Sequence, residues 1–191
     1  MKTLVINGHP DPESYNYALS EAYIKGAQES GLEIQSIHLK DLKFNPNLSY
    51  GYRKRSDLEP DLEHAIQLMQ EADHLVWIFP VWWAGLPALM KGFIDRTFLP
   101  GITYGPKKGK GLPDKLWKGK TARLIFTSDS PKWYFRLFLH RPVLQQMKKG
   151  VLQFCGVGSI KHTHISIIKN SSEKFRKNHL ERVHLLGKGG K

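Results

Sequence analysis

Residues 75–98, LVWIFPVWWAGLPALMKGFIDRTF, constrain the fold more than any other part of this chain. The apolar run Leu75–Phe79 reads as a buried strand and stops at Pro80. Trp82 and Trp83 follow, and Gly85-Leu86-Pro87 then opens a segment with helical spacing. A strand ending in an aromatic loop and followed at once by a helix is the strand-end crevice where open α/β sheets bind planar cofactors. The first strand pattern, Thr3 to Asn7, also ends in a loop built like an anion site, GHPDPES. The chain thus carries a candidate phosphate loop and a candidate ring platform, each at the carboxyl end of a strand.

Strand and helix patterns alternate along the rest of the chain. Ser14–Ser30 has apolar residues at helical spacing and Gly31 as a stop signal. Glu33–Leu39 reads as a second strand, Asp61–Ala72 as an amphipathic helix, His74–Phe79 as the third strand and Leu86–Phe98 as the next helix. Between them, polar Asp41–Asp57 is the longest candidate loop, and is expected to be mobile or functional. Pro100–Lys120, rich in Gly, Pro and Lys, reads as a β-hairpin or a partner-facing arm. Thr121–Thr127 is the fourth strand, Trp133–Phe154 a helix broken near Arg141–Pro142, Gly158–Ile167 the fifth strand and Ser171–Leu186 a basic closing helix. This order implies a parallel sheet with helices on both faces, and 191 residues suit one domain spanning 1–191.

Charge narrows the partners. The formal net charge is +12, with Lys107, Lys108, Lys110, Lys115, Lys118 and Lys120 clustered in one segment. Such an excess attracts anionic cofactors through long-range fields. No nucleic-acid motif accompanies it, so the expectation is a basic protein preferring phosphorylated ligands, with peripheral docking on an anionic membrane or membrane protein as the sharper alternative. The single cysteine, Cys155, excludes an intramolecular disulfide framework and a Cys-rich metal site, and reads as a small buried residue. His162 and His164 alternate on a strand, but no nearby Asp, Glu or Cys completes a metal site. No signal peptide pattern and no apolar run near the ~18 residues of a membrane span are present, so the cytoplasm is the expected compartment.

Four constellations could carry chemistry. In HPDPESYN, Gly8 lets the backbone leave the strand sharply, and Ser14 as an N-cap would leave helix amides facing an anion. Ser14 and Asn16 add side-chain donors and His9 a hydrogen bond or a charge, although a capped helix beside a surface histidine has the same pattern. Trp82 and Trp83 could pack the core or flank a ring whose edge the loop's backbone bonds. Thr127-Ser128-Asp129-Ser130-Pro131 offers hydroxyl donors, and is also common turn chemistry. Tyr134 and His140, six residues apart, could deliver a proton near a ring gaining negative charge, or be ordinary surface residues.

Taken together, these segments resemble the flavodoxin-like NAD(P)H:quinone reductase family over nearly the whole chain. The resemblance implies a flavodoxin-like three-layer α/β sandwich with a five-stranded parallel sheet in the order 2-1-3-4-5. It implies flavin phosphate at His9, Ser14, Tyr15 and Asn16, the isoalloxazine at Pro80, Val81, Trp82, Trp83 and Ala84, and its polar edge at Thr127 and Ser128. Better-known members carry glycines where this chain has Asp129 and Ser130. The family's tyrosine–histidine pair maps to Tyr134 and His140. FMN is the expected cofactor, with FAD the alternative, and NADH or NADPH the hydride donor. The implied activity is two-electron reduction of a quinone-like acceptor by a ping-pong mechanism in a homodimer. A flavodoxin-like electron carrier and an ancillary regulatory subunit, as in potassium-efflux systems, are the alternatives.

Overall fold

Residues 1–51, 53–54, 56–106 and 111–190 are described by the structure, a computed structural model of the protein. Strands β1 (Lys2–Asn7), β2 (Glu33–His38), β3 (His74–Pro80), β4 (Thr121–Ser128) and β5 (Ile160–Ser166) form one sheet. Every pairing is parallel, and the order is β2-β1-β3-β4-β5, as the resemblance implied. The helices are α1 (Tyr15–Glu29), α2 (Pro60–Glu71), α3 (Ala88–Thr97), α4 (Lys132–Leu137), α5 (Pro142–Leu144) and α6 (Glu173–Lys188). The elements read from the sequence stand within two residues of their expected ends.

Strand β3 is buried at all seven positions, as a central parallel strand covered on both faces must be. Its alternation divides the core. Leu75, Trp77 and Phe79 join Leu4, Ile6, Leu124 and Phe126 under α2 and α3. Val76 and Ile78 join Val5, Ile125 and Ile165 under Leu19 and Tyr23 of α1 and Val183 of α6.

On that second face, glycines bring two helices together. A Cβ on Gly26 would lie 2.0 Å from the carbonyl oxygen of His184, and one on Gly187 would lie 2.1 Å from that of Tyr23. The two backbones touch where neither side tolerates a methyl group.

Two of the expected excursions are tied to the core. The polar stretch after β2 is clamped by buried Arg96 of α3: Nη1 donates to the Asn45 carbonyl at 2.6 Å, and Nη2 to the Asp57 carbonyl at 2.7 Å and to Glu59 at 2.8 Å. Pro46 packs so closely on Gly92 that a Cβ there would come within 2.4 Å of its ring. Asn45, Pro46 and Asp57 are therefore held against α3 by a residue far away in sequence, while Tyr52 and Arg55 between them lie outside the described residues. The segment expected as a hairpin or arm has Tyr104 bridging Lys115 antiparallel and the Gly105 N–H donating to the Asp114 carbonyl at 2.7 Å, while residues 107–110 between them lie outside the described residues. Its end returns to the core, where Trp117 meets Phe98 edge to face at 5.1 Å. Lys107, Lys108 and Lys110 of the proposed charge cluster lie outside the described residues.

The break expected near Arg141–Pro142 is present. Helix α4 ends at Leu137, His140 and Arg141 adopt left-handed backbone with φ of 53° and 55°, and Pro142 starts α5. α5 runs on into a π-helical stretch, Gln145–Gln153. Among the described residues, no helix is long and apolar enough to cross a membrane.

Gly26→Ala and Gly187→Ala are each expected to destabilise the protein by about 1–3 kcal/mol, despite alanine's better helix propensity, because the helices must part. Urea unfolding of both variants checks this; unchanged midpoints would mean the helices separate freely.

Candidate active site

The register aligns the carboxyl ends of four strands along one edge. Asn7 faces Ile78, Pro80 faces Thr127, and Ser128 faces Ser166. β1 sits between β2 and β3, and the chain leaves β1 for α1 on one face and β3 for α3 on the other. The two loops part there and open a crevice.

The first loop is closed by its own hydrogen bonds. The His9 N–H donates to Asn7 Oδ1 at 3.0 Å, the Asp11 N–H to His9 Nδ1 at 3.0 Å and the Glu13 N–H to Asp11 Oδ1 at 2.9 Å. The bond at Nδ1 fixes neutral His9 with its proton on Nε2. Burial lowers the His9 pKa, and the Asp11 charge opposes that shift. Ser14 caps α1, its Oγ accepting from the Tyr17 N–H at 3.2 Å. The amides of Tyr15 and Asn16 have no acceptor among the described residues. Gly8 is required here, because a Cβ would sit 2.7 Å from the Met90 sulfur.

The second loop is a two-residue turn. Trp82 and Gly85 exchange backbone hydrogen bonds of 3.1 and 2.8 Å, with Trp83 (φ 51°) and Ala84 (φ 59°) at the tip. Positive φ at both central residues defines the tight hairpin turn that normally selects Asn-Gly. Trp-Ala holds it under strain, and the Trp83 side chain stands fully in solvent at 103% exposure. Trp82 is half-buried and meets His9 edge to face at 5.3 Å. The Val81 N–H is tied to the Thr127 carbonyl at 2.7 Å, whereas the amides of Trp83 and Ala84 have no partner among the described residues.

In the third loop the hydroxyls are engaged inside the protein. Thr127 Oγ1 donates to Asn16 Oδ1 at 2.8 Å and accepts from its Nδ2 at 3.2 Å, and both residues are buried. This pair ties β4 to the start of α1, so Asn16 offers the crevice its backbone amide and not its side chain. Ser128 Oγ lies 3.1 Å from the Ser130 carbonyl and 2.8 Å from His164 Nε2. With the hydroxyl proton on Ser130, Nε2–H donates to Ser128, the neutral tautomer again. Burial, with the charges of Lys132 and His162 adding to it, pulls the His164 pKa down to about 4.

These loops enclose one continuous cleft. A part of ≈ 300 Å³ is lined by His9, Ser14, Tyr15, Asn16, Pro80 and Thr127. A part of ≈ 760 Å³ is lined by Trp83, Ala84, Ser130, Tyr134, Phe135 and Leu139. Val81, Trp82, Ser128 and Asp129 line both. The narrow part has free amides at a helix start, which suit a phosphate. The wide part has an indole wall and free loop amides, which suit a polar-edged ring. Two acids intrude, but the Asp11 and Asp129 carboxylates each accept a backbone N–H, from Glu13 and Lys169. The donor set therefore fits the phosphate and the polar-edged ring of a flavin.

All eleven residues expected to bind the cofactor line this cleft, and Tyr134 joins them in its wide part. Tyr15 contributes its amide; its hydroxyl donates to the Arg176 carbonyl at 2.8 Å, and burial pushes its pKa up to about 12. His140 is exposed and does not line the cleft, so the structure does not bring the tyrosine and histidine together there. The sequence reading missed Phe135, Leu139, Ile168 and Lys169. The last two follow the carboxyl end of β5, and the same strand-end rule would have found them.

Fold and cleft together define an open α/β protein with a cleft at its topological switch point. The flavodoxin-like fold family matches residues 1–185, and the chain belongs to that family. It is similar to NAD(P)H dehydrogenase [quinone] 1 of Cavia porcellus, 30% identical over 180 residues. That match takes in 81% of this chain and 64% of the relative, so the chain spans less than two thirds of that protein's length. The crystal structure of Smu.1420 from Streptococcus mutans superposes with a TM-score of 0.87 at 30% identity, over 99% of this chain and 100% of that one. An FMN-dependent NADH-azoreductase from Bacillus anthracis in complex with FMN superposes with a TM-score of 0.75 over 97% of each chain, and at 16% identity this likeness speaks for the fold alone.

Because His164 is held neutral with its pKa near 4 against about 6.5 unfolded, the unfolded state binds more protons between those values. The stabilisation from this site is therefore full above pH 6.5 and falls as pH drops toward 4. Urea unfolding at pH 7.5 and pH 5 should show His164→Gln losing less stability on acidification than the parent. Equal losses would move the titration to another group.

Proposed function

We propose that the protein is an FMN-dependent oxidoreductase that takes a hydride from NADH or NADPH and passes it to a quinone-like acceptor in a ping-pong cycle. The observation carrying this reading is the single cleft joining orphan helix amides at Tyr15 and Asn16 to the strained, solvent-facing turn at Trp83–Ala84. FMN, when bound, would supply the two-electron chemistry. The chain supplies position: α1's first amides hold the phosphate, Trp82 walls the ring, and the free amides of Trp83, Ala84, Asp129 and Ser130 offer donors to the polar edge. The wide part is open to solvent beside Tyr134, so donor and acceptor would use it in turn.

Tyr134 is the phenol placed to hold or deliver a proton at the wall of this cleft. Exposed Trp133, Leu137 and Phe138, with Trp83, form an apolar surface at the cleft's rim that a second copy would cover in a homodimer. An electron carrier fits less well, because the wide cleft leaves room for a second planar molecule beside the flavin.

The first test is the absorption spectrum of the purified protein, with the released flavin identified by chromatography and NAD(P)H oxidation followed with a quinone. A bound FMN with parallel double-reciprocal plots is the expected result; FMN-loaded protein that turns over neither donor would favour the carrier or regulatory alternatives. In stopped-flow reduction, Tyr134→Phe should slow flavin reduction by about 10²-fold, the lower end of acid–base contributions, while leaving flavin affinity unchanged. His140→Ala should stay near the parent rate, given its place outside the cleft. The reverse order would restore the histidine as the proton donor. In sedimentation velocity, Leu137→Lys with Phe138→Lys should convert a dimer to a monomer.

A further inference from the structure

A second concavity lies across α4 from the cleft. It measures ≈ 190 Å³ and is lined by Lys132, Arg136, Arg141, His162 and His164 over a floor of Phe126, Phe135 and Leu144. No carboxylate lines it, and among the described residues none of the side chains of Lys132, Arg136 and Arg141 has an ion pair or hydrogen-bonded partner. Lys148 and Arg123 add further positive charge near His162. Phe135 lines both this pocket and the wide part of the cleft, so one aromatic ring separates them. Helical spacing accounts for the arrangement: Lys132 and Arg136, four apart, share a face of α4, while Trp133, Leu137 and Phe138 take the opposite side.

Three unpaired cations around two imidazoles repel one another, and that repulsion is relieved by an anion. Burial and these neighbouring cations already hold both histidines below their usual pKa. The cations of Lys132, Arg136 and Arg141 converge on one small volume, which suits a terminal group more than a bridging one. A phosphomonoester has three free oxygens and up to two charges; each phosphorus of a pyrophosphate bridge has fewer free oxygens and must continue in both directions.

We propose that this pocket binds the 2′-phosphate of NADPH and thereby selects NADPH over NADH. The inference rests on the reductase reading above, in which the nicotinamide occupies the wide part of the cleft. The same residues would take any phosphomonoester, so the test separates the dinucleotide from the free ion.

Adenosine 2′,5′-bisphosphate is titrated by calorimetry into the FMN-loaded parent, into Lys132→Gln/Arg136→Gln and into Arg141→Gln, with inorganic phosphate and 5′-AMP as controls. Loss of charge-assisted contacts should weaken the bisphosphate about tenfold or more in the variants and leave 5′-AMP unchanged. In the parent, the bisphosphate should also raise the NMR titration midpoints of His162 and His164, since an anion favours the imidazolium. In turnover, the variants should raise KM for NADPH by about the same factor, with kcat and KM for NADH near the parent values. Inorganic phosphate binding as tightly as the bisphosphate would reduce the pocket to a generic anion site and overturn the assignment. Equal rises in both KM values would assign the charges to the pyrophosphate or to long-range steering, and would also overturn it. Parent protein that binds the bisphosphate here but oxidises neither donor would instead refute the reductase reading while leaving the pocket.

Discussion

The common level at which β1, β3 and β4 end is the constraint from which the site follows. It is set by β3, which is buried at every position and pairs in register with both neighbours. A slip of one residue would exchange the sets Leu75–Trp77–Phe79 and Val76–Ile78 between two differently shaped core layers. With that register fixed, Asn7, Pro80 and Ser128 are delivered to one edge, and the loops after them border one crevice. Pro80 fits at the end of the ladder, where the following amide, that of Val81, makes the last bond to β4.

The edge is where the chain tolerates strain. Among the described residues, the non-glycine positions with positive φ are Trp83, Ala84, His140, Arg141 and Ile167. They lie in the turn after β3, at the break after α4 and just past β5. For Ile167, a β-branched residue, this conformation is a marked outlier. Its N–H nonetheless bonds the Ser128 carbonyl at 2.8 Å, so the sheet's final hydrogen bond holds the backbone in place. A packed sheet that over-determines its own ends can support such positions. The α1–α6 contact at Gly26 and Gly187 stiffens the face from which the phosphate loop departs.

How much of this was legible in the sequence depended on range. Strands and helices were legible because periodicity is local, and so was the capped helix start at Ser14. The cleft's membership was legible through the strand-end rule together with a family resemblance, since each loop's residues are contiguous. What the side chains do in the cleft was not. Asn16 reads as a phosphate donor until its amide is seen bonded to Thr127, 111 positions away. Ser128 reads as a ring-edge donor until His164 is seen beside it. The Arg96 clamp escaped for the same reason, since one guanidinium reaches the carbonyls of Asn45 and Asp57 across a loop with no pattern of its own.

The histidines of β5 show how a negative reading in sequence becomes a positive one in space. His162 and His164 lack a metal-binding companion along the chain. The fold then surrounds them with cations from α4 and from the break at Arg141, so the local field disfavours a metal ion and favours an anion. The same imidazole that faces this charge, His164, holds the Ser128 hydroxyl in the cleft. Charge arriving behind α4 would act on His164 directly, and through its bond to Ser128 on the loop that borders the ring. Phe135, shared by both cavities, offers a second mechanical link of similar length. Occupancy of the basic pocket and the geometry of the cleft are thus joined by one hydrogen bond and one ring, which is the shortest physical route by which recognition of a donor's distant phosphate could reach the place where its hydride is used.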